Sequence, residues 1–336
     1  LKKLTVSIDP FDSVYNSFVP QFAAAAAGAG CEVRPLSFHL QPMMSSDVVI
    51  MHWPYLFMGD VPLTATAKGL LRIMGARRLG RTRFVWVAHN LAQHDGAARH
   101  QFIPRRFIRE LDGIIYLSER SRELLHQLYR VAPHTRELVT VHPRYDSALP
   151  ITPYYPPAVD EACRLMSFGM IRRYKGHGAL IKAMRATQGM PVEMNLAGRR
   201  HDPVYSREVE EQAEDIANLR LSLSDERIDD EELERMIDGA HGVVLPYRAV
   251  LNSGSAIHAL SRARPVLVPN LGSMPELQQS FGREWVHLYD GELSGEDIAR
   301  FASAIRQIPA GARPDMSNHG WDRMSADLKG FFAEIV

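Results

Sequence analysis

Three short clusters in the second half of this chain place phosphate-binding residue types where a backbone could use them. Ser253-Gly254-Ser255 follows the apolar Val243-Val244-Leu245-Pro246-Tyr247 and the pair Leu251-Asn252, and it opens the run Ala256 to Ala263. A helix entered through Gly and Ser offers an anion its unsatisfied N–H groups and the positive end of its dipole. Gly169 is followed by Arg172, Arg173, Lys175 and Gly176; arginine grips a diphosphate as a fork and lysine as a point charge. Gly198, ahead of Arg199 and Arg200, permits close backbone approach. Each cluster alone is common on protein surfaces. Three at successive strand ends of one domain indicate a nucleoside diphosphate.

The elements that must position these clusters are legible as apolar runs. In the first half, strands are predicted at Leu4 to Ile8, Cys31 to Leu36, Asp47 to Trp53, Phe84 to His89, Gly113 to Leu117 and Leu138 to His142, with helices at Tyr15 to Gly28, Leu63 to Ala76 and Ser121 to Tyr129. Continuous apolar strands alternating with helices indicate a parallel sheet covered on both faces. Pro150, Pro153, Pro156 and Pro157 then interrupt the rhythm and predict an extended linker. It restarts with strands at Arg164 to Phe168, Val192 to Leu196, Leu219 to Leu223, Gly242 to Pro246, Val266 to Pro269 and Trp285 to Leu288, and helices at Asp230 to Ala240, Ser294 to Gln307 and Trp321 to Val336. The expected fold is α/β, two doubly wound Rossmann-like domains facing a central cleft. The expected division is 1–148, a linker at 149–160, 161–312, and a helical tail at 313–336. In open α/β sheets, ligands bind beyond the carboxyl ends of the strands.

Composition narrows the class. At 336 residues, 46% apolar and 23% charged, the chain reads as globular and long enough for two cores. Leu1-Lys2-Lys3 leads into a strand, not an apolar leader, and Cys31 and Cys163 lack metal spacing, so buried thiols in the cytoplasm are expected. The net charge is zero, but residues 1–150 hold 18 Lys and Arg against 12 Asp and Glu. Arg72 to Arg83 and Arg99 to Arg109 interleave basic with apolar residues, a pattern that suits either an anionic membrane surface or ordinary solvated helices. No nucleic-acid motif accompanies them.

Phe168-Gly169 with Lys175-Gly176, Leu196-Ala197-Gly198, Asp229-Asp230-Glu231-Glu232-Leu233, Val244-Leu245-Pro246-Tyr247, Ala263-Arg264-Pro265-Val266-Leu267 and Gly272 with Pro275-Glu276-Leu277 resemble the nucleotide-sugar domain of two-Rossmann (GT-B) glycosyltransferases. His52-Trp53-Pro54, His89-Asn90-Leu91 with His94, Met170-Ile171-Arg172 with Tyr174-Lys175-Gly176, Asn252-Ser253-Gly254, Ala259-Leu260-Ser261 and Leu288-Tyr289 with Gly291-Glu292 narrow the resemblance to bacterial exopolysaccharide β-mannosyltransferases of the xanthan type.

That resemblance implies GDP-mannose as donor, a polyprenyl-diphosphate-linked oligosaccharide as acceptor, inversion at the anomeric carbon, and work at the inner face of the cell membrane. Arg172, Lys175, Asn252, Ser253, Gly254 and Ser255 would hold the departing diphosphate. Gly198, Tyr247 and His258 would meet the sugar or nucleoside. The chain contains no Asp-x-Asp, so no metal or other cofactor is indicated. The large retaining family of this fold brackets the helix after the glycine with two glutamates; Ser255 to Ser261 carries no carboxylate, which favours inversion and removes the usual ribose anchor. Inversion needs a general base for the acceptor hydroxyl. Asp95 is the first candidate, His94 its alternative or orienting partner, and Asp12 the third. Asn16, His52, Trp53 and His89 are the acceptor-side candidates; N-capping for Asn16 and packing for His52, Trp53 and His89 are the structural alternatives.

Two other readings stay open: the same fold with a UDP-sugar or a retaining outcome, and a non-catalytic two-domain sugar-binding protein. A dinucleotide dehydrogenase is disfavoured because Asp9-Pro10-Phe11-Asp12 stands where Gly-x-Gly-x-x-Gly would follow the first strand.

Overall fold

A computed structural model describes residues 3–11, 16–91, 102–147 and 149–336. The chain forms two compact units, Leu1–Pro143 with Ser317–Val336, and Arg144–Met316.

The first unit alternates β1 (Thr5–Asp9), α1 (Phe18–Gly28), β2 (Glu32–Pro35), α2 (Leu40–Met44), β3 (Val48–Met51), α3 (Tyr55–Met58), α4 (Leu63–Gly75), β4 (Arg83–Val87), α5 (Phe102–Arg109), β5 (Gly113–Tyr116), α6 (Glu119–Leu128) and β6 (Arg136–Val139). Its six strands are parallel in the order β2-β1-β3-β4-β5-β6. β3, β4 and β5 are almost wholly buried, which is why they read as unbroken apolar runs. β6 starts and ends earlier than expected. It is an edge strand with exposed Arg136 and Glu137, so the apolar cue lay downstream of its true start. α5 falls in the stretch Arg99 to Arg109, for which a solvated helix is one of the two readings, and Pro104 stands at its third described position. Proline is tolerated in the first turn, where its missing N–H has no partner to lose.

The second unit contains β7 (Cys163–Phe168), α7 (His177–Ala186), β8 (Val192–Arg199), α8 (Pro203–Ala213), β9 (Leu219–Ser224), α9 (Asp230–Asp238), β10 (Gly242–Val244), α10 (Gly254–Ser261), β11 (Val266–Pro269), α11 (Met274–Phe281), β12 (Val286–Tyr289) and α12 (Gly295–Ile305). These strands are parallel too, in the order β12-β11-β10-β7-β8-β9. Strand order reverses between β7 and β10, and that is where a doubly wound sheet opens a crevice at its carboxyl edge.

The stretch expected as a linker is fastened to the second unit. Arg262 Nη1 donates to Leu149 O at 3.0 Å, its Nη2 donates to Pro150 O at 2.9 Å, and Arg264 Nη1 donates to Thr152 O at 3.1 Å. Both guanidiniums are buried and also reach Asp238, through its carboxylate and its carbonyl. A proline-rich segment cannot pair its own carbonyls, and these arginines satisfy them. Tyr154 is fully buried and donates to Ile305 O at 2.6 Å. The boundary therefore falls near Pro143.

The last helix, α13 (Trp321–Ile335), returns to the first unit and packs along α1. The alanine tract permits the approach: Ser325 Oγ donates to Ala25 O at 2.9 Å, and a Cβ on Gly28 would lie 3.0 Å from that hydroxyl. Thr140 Oγ1 donates to Asp327 at 2.7 Å, and Phe331 fills the space beside Gly113. Removing the Phe331 ring would cost about 3–5 kcal/mol through the cavity it leaves.

Candidate active site

At the switch point of the second sheet, the loops after β7 and β10 meet through one side-chain chain. Lys175 Nζ donates to Tyr247 Oη at 3.3 Å and lies 4.5 Å from that ring's centre. Tyr247 shares a 3.0 Å hydrogen bond with Ser253 Oγ, which caps α10 by accepting from Ala256 N at 3.1 Å. Burial opposes the Lys175 charge, yet Tyr247 and Tyr174 outweigh it and hold its pKa above the ordinary value. It is an ammonium at neutral pH. Beside it, Gly254 and Ser255 begin α10, and their N–H groups stand outside the helical ladder.

Two glycines make this approach possible. A Cβ on Gly176 would sit 1.8 Å from Pro246 O, and one on Gly198 would sit 1.8 Å from Gly169 O. The loops after β7, β8 and β10 can touch only because neither residue carries a side chain.

The basic residues after β7 and β8 divide into two sets. Arg173 pairs with Glu208 at 2.8 Å and Arg200 with Glu210 at 2.7 Å, both acids belonging to α8. Arg172 and Arg199 instead converge on His201, at 2.7 and 3.4 Å. His201 thus joins the guanidiniums that follow β7 and end β8. His201 was missed in the sequence; the signal was its position directly after two arginines at a strand end. His258 is 8% exposed. Its ring stacks on Tyr145 at 4.8 Å, lies edge-on to Phe168 at 6.0 Å, and brings Nε2 to 3.6 Å from Glu234. It is packed inside the unit. Asn252 precedes the cap and is half-buried.

The first unit presents a different set at its strand ends. His52, after β3, and His89, after β4, share a 3.0 Å hydrogen bond between Nδ1 and Nε2. Trp53 stacks on His89 with centroids 4.8 Å apart. Phe18 and Phe22 of α1 meet the imidazoles edge-on, Phe18 at 4.9 Å from His89 and Phe22 at 4.7 Å from His52. Burial lowers the pKa of His52 to about 3 and of His142, after β6, to about 4. Burial also drives His89 well below its ordinary value, helped by its imidazole neighbours. These are neutral rings, suited to hydrogen bonding and stacking and too weakly basic to compete for a proton. Asp9, at the end of β1, has its carboxyl pKa raised by burial. Asn16 Oδ1 accepts from Phe18 N at 3.0 Å and so starts α1. His52, Trp53 and His89 are thus brought together, while Asn16 is engaged with the helix. Asp12, His94 and Asp95 lie outside the described residues. Among the described residues, no group of three or more His, Cys, Asp or Glu side chains could hold a metal ion.

Solved structures share this architecture along the full length. Sucrose-phosphate synthase from Thermosynechococcus elongatus superposes with a TM-score of 0.68 at 15% identity, covering 99% of each chain. Anabaena Alr3699/HepE, solved with UDP-glucose, gives 0.66 at 12% identity, again covering 99% of each. A pair of parallel six-stranded units of this kind is the GT-B fold. No family model matches the chain. GDP-mannose:glycolipid 4-beta-D-mannosyltransferase of Xanthomonas campestris pv. campestris is 30% identical over 325 residues, 92% of this chain and 85% of that protein, and the chain belongs to its family.

Proposed function

We propose that this glycosyltransferase moves a mannosyl group from GDP-mannose to a polyprenyl-diphosphate-linked oligosaccharide, with inversion, in exopolysaccharide synthesis. The observation that carries the reading is the Lys175–Tyr247–Ser253 chain at the strand-order switch, in a protein related along most of its length to a GDP-mannose:glycolipid mannosyltransferase.

In this reading the second unit holds the donor. Lys175, Arg172 and the Gly254 and Ser255 amides take the charge that gathers on the diphosphate as the C1–oxygen bond breaks; stabilisation fixed in advance at the leaving group is where an enzyme gains most. No metal or cofactor enters this scheme. Asn252 and Ser253 fix the turn, and Gly198 and Tyr247 border the sugar and nucleoside. His258 acts from behind that surface, through Phe168 and Tyr145. The first unit serves the acceptor: Asp95 takes the hydroxyl proton as the oxygen attacks C1, with His94 as its partner or substitute and Asp12 as the third candidate. His52, Trp53 and His89 offer stacking and neutral hydrogen bonds to sugar, and Asn16 supports α1 beneath them. The products are the mannosylated lipid, GDP and one proton held by the base.

A glycolipid acceptor places the protein on the inner membrane face as a peripheral enzyme. Among the described residues no helix is long and apolar enough to cross a membrane. Thermal shift with GDP, UDP and NAD tests the donor: a rise with GDP above that with UDP is expected. No response to either nucleoside diphosphate rejects the transferase reading, and a larger response to UDP replaces the donor.

A further inference from the structure

The first unit holds a second concave site at the other edge of its sheet. α5 ends at Arg109, just before β5, and α6 ends at Leu128, ahead of β6. Both helix ends therefore lie where the strands begin, whereas His52 and His89 follow strand ends. Between them is a cavity of about 620 Å³ lined by Arg105, Arg109 and Arg130 with Leu128, Tyr129 and Val131. The two acids nearest in the chain are already engaged: Glu110 binds Arg77 and Arg106, and Asp112 binds Arg77 and Arg83. Among the described residues, Arg105, Arg109 and Arg130 form no ion pair. Three exposed guanidiniums around one hollow offer an anion several donors at once.

We infer that this cavity receives the phosphate headgroup of an anionic phospholipid and seats the first unit on the membrane surface. The rest of the lining argues for a lipid over a soluble phosphate ester. Among the described residues it contains no carboxylate or amide side chain to read a sugar or a base. Its rim is apolar, with Leu128 58% exposed. The apolar character continues along the same helical layer: Phe102 of α5 is 58% exposed, and Leu79, on the π turn Ala76–Gly80 whose Arg77 pairs with Glu110 just after α5, is 71% exposed. Arginines flanked by exposed leucine and phenylalanine match an interface where phosphates lie above acyl chains.

This placement rests on the peripheral reading above and gives it an address. The test is flotation of the full chain with phosphatidylcholine vesicles and with equal parts phosphatidylcholine and phosphatidylglycerol. The wild type is expected to float only with the anionic vesicles. Arg105→Gln/Arg130→Gln should weaken that binding about 30-fold, since each surface arginine contributes about fivefold. Arg120→Gln/Arg122→Gln removes two arginines of α6 that pair with Glu123 and Glu119, and it should change binding little. Equal weakening by both variants means diffuse charge and overturns the site. So does failure of the wild type to float, or full competition by dilute glycerol phosphate. Unchanged melting temperatures and an unchanged response to GDP in every variant separate this outcome from the fate of the transferase reading.

Discussion

Beyond β7, β8 and β10 of the second unit stand Lys175, Arg172, Arg199 and a capped helix start, threaded between glycines. Beyond β3, β4 and β6 of the first unit stand His52, His89 and His142, held neutral by burial among Phe18, Phe22 and Trp53. Both sheets have six parallel strands and both expose their carboxyl edges to loops. Among the described residues, one edge is finished with cations and the other with aromatic and neutral imidazole rings. The sheet supplies the address, and the few residues after each strand decide whether that edge is cationic or neutral and aromatic.

The largest effect that could break this division is at the proton acceptor. Asp95→Asn should lower kcat about 10³-fold, within the usual reach of general-base catalysis, and leave the GDP-induced thermal shift intact. Retained turnover would move the base to His94 or Asp12, and a lost GDP response would remove Asp95 from the acceptor side. Next comes the cationic edge. Lys175→Ala should reduce kcat about 10²-fold, as loss of one preorganised charge contact does, and weaken GDP binding as well. Tyr247→Phe keeps the ring under the ammonium and should be milder. A near-normal Lys175→Ala enzyme would place the diphosphate elsewhere.

Protonation shows what the two regions share. His52 has a pKa of about 3 in the folded chain against 6.5 when free. Unfolded chain therefore binds the extra proton between those values, so stability is full above pH 6.5 and falls as the pH falls towards 3. Each such histidine contributes a slope of about 1.4 kcal/mol per pH unit. His177 and His241 of the second unit, lowered by burial to about 3 and about 4, add to the same acid loss. His52→Phe, measured by urea unfolding from neutral to mildly acidic pH, should flatten the curve by one proton. Parallel curves would mean that His52 is not held neutral.

The sequence located almost every buried strand, because burial on both faces leaves an unbroken apolar run. Arg172, Lys175 and the Ser253 turn stood out as candidates because a strand end followed by Gly and cations is a local pattern. The sequence could not separate Arg173 and Arg200 from Arg172 and Arg199, since that depends on Glu208 and Glu210 arriving from α8. Nor could it see that Arg262 and Arg264 bind the proline-rich stretch, or that α13 returns to α1. These are contacts between distant segments. His52 and His89 were each visible as strand-end residues; their mutual hydrogen bond, and the burial that keeps them neutral, follow from β3 and β4 being neighbours.

The smallest test concerns Asn16, where the two readings of the first unit's edge diverge. Its side chain is committed to Phe18 N, and Phe18 is the residue that packs on His89. If that is its whole role, Asn16→Ala should cost about 1 kcal/mol of stability, as removal of a helix-start acceptor does, with acceptor KM unchanged. Asn16→Asp retains the acceptor oxygen and should restore the stability. A rise in acceptor KM at unaltered stability, without rescue by aspartate, would instead make the Asn16 amide a direct sugar contact. The first unit's edge would then read substrate through polar groups as well as through its aromatic floor.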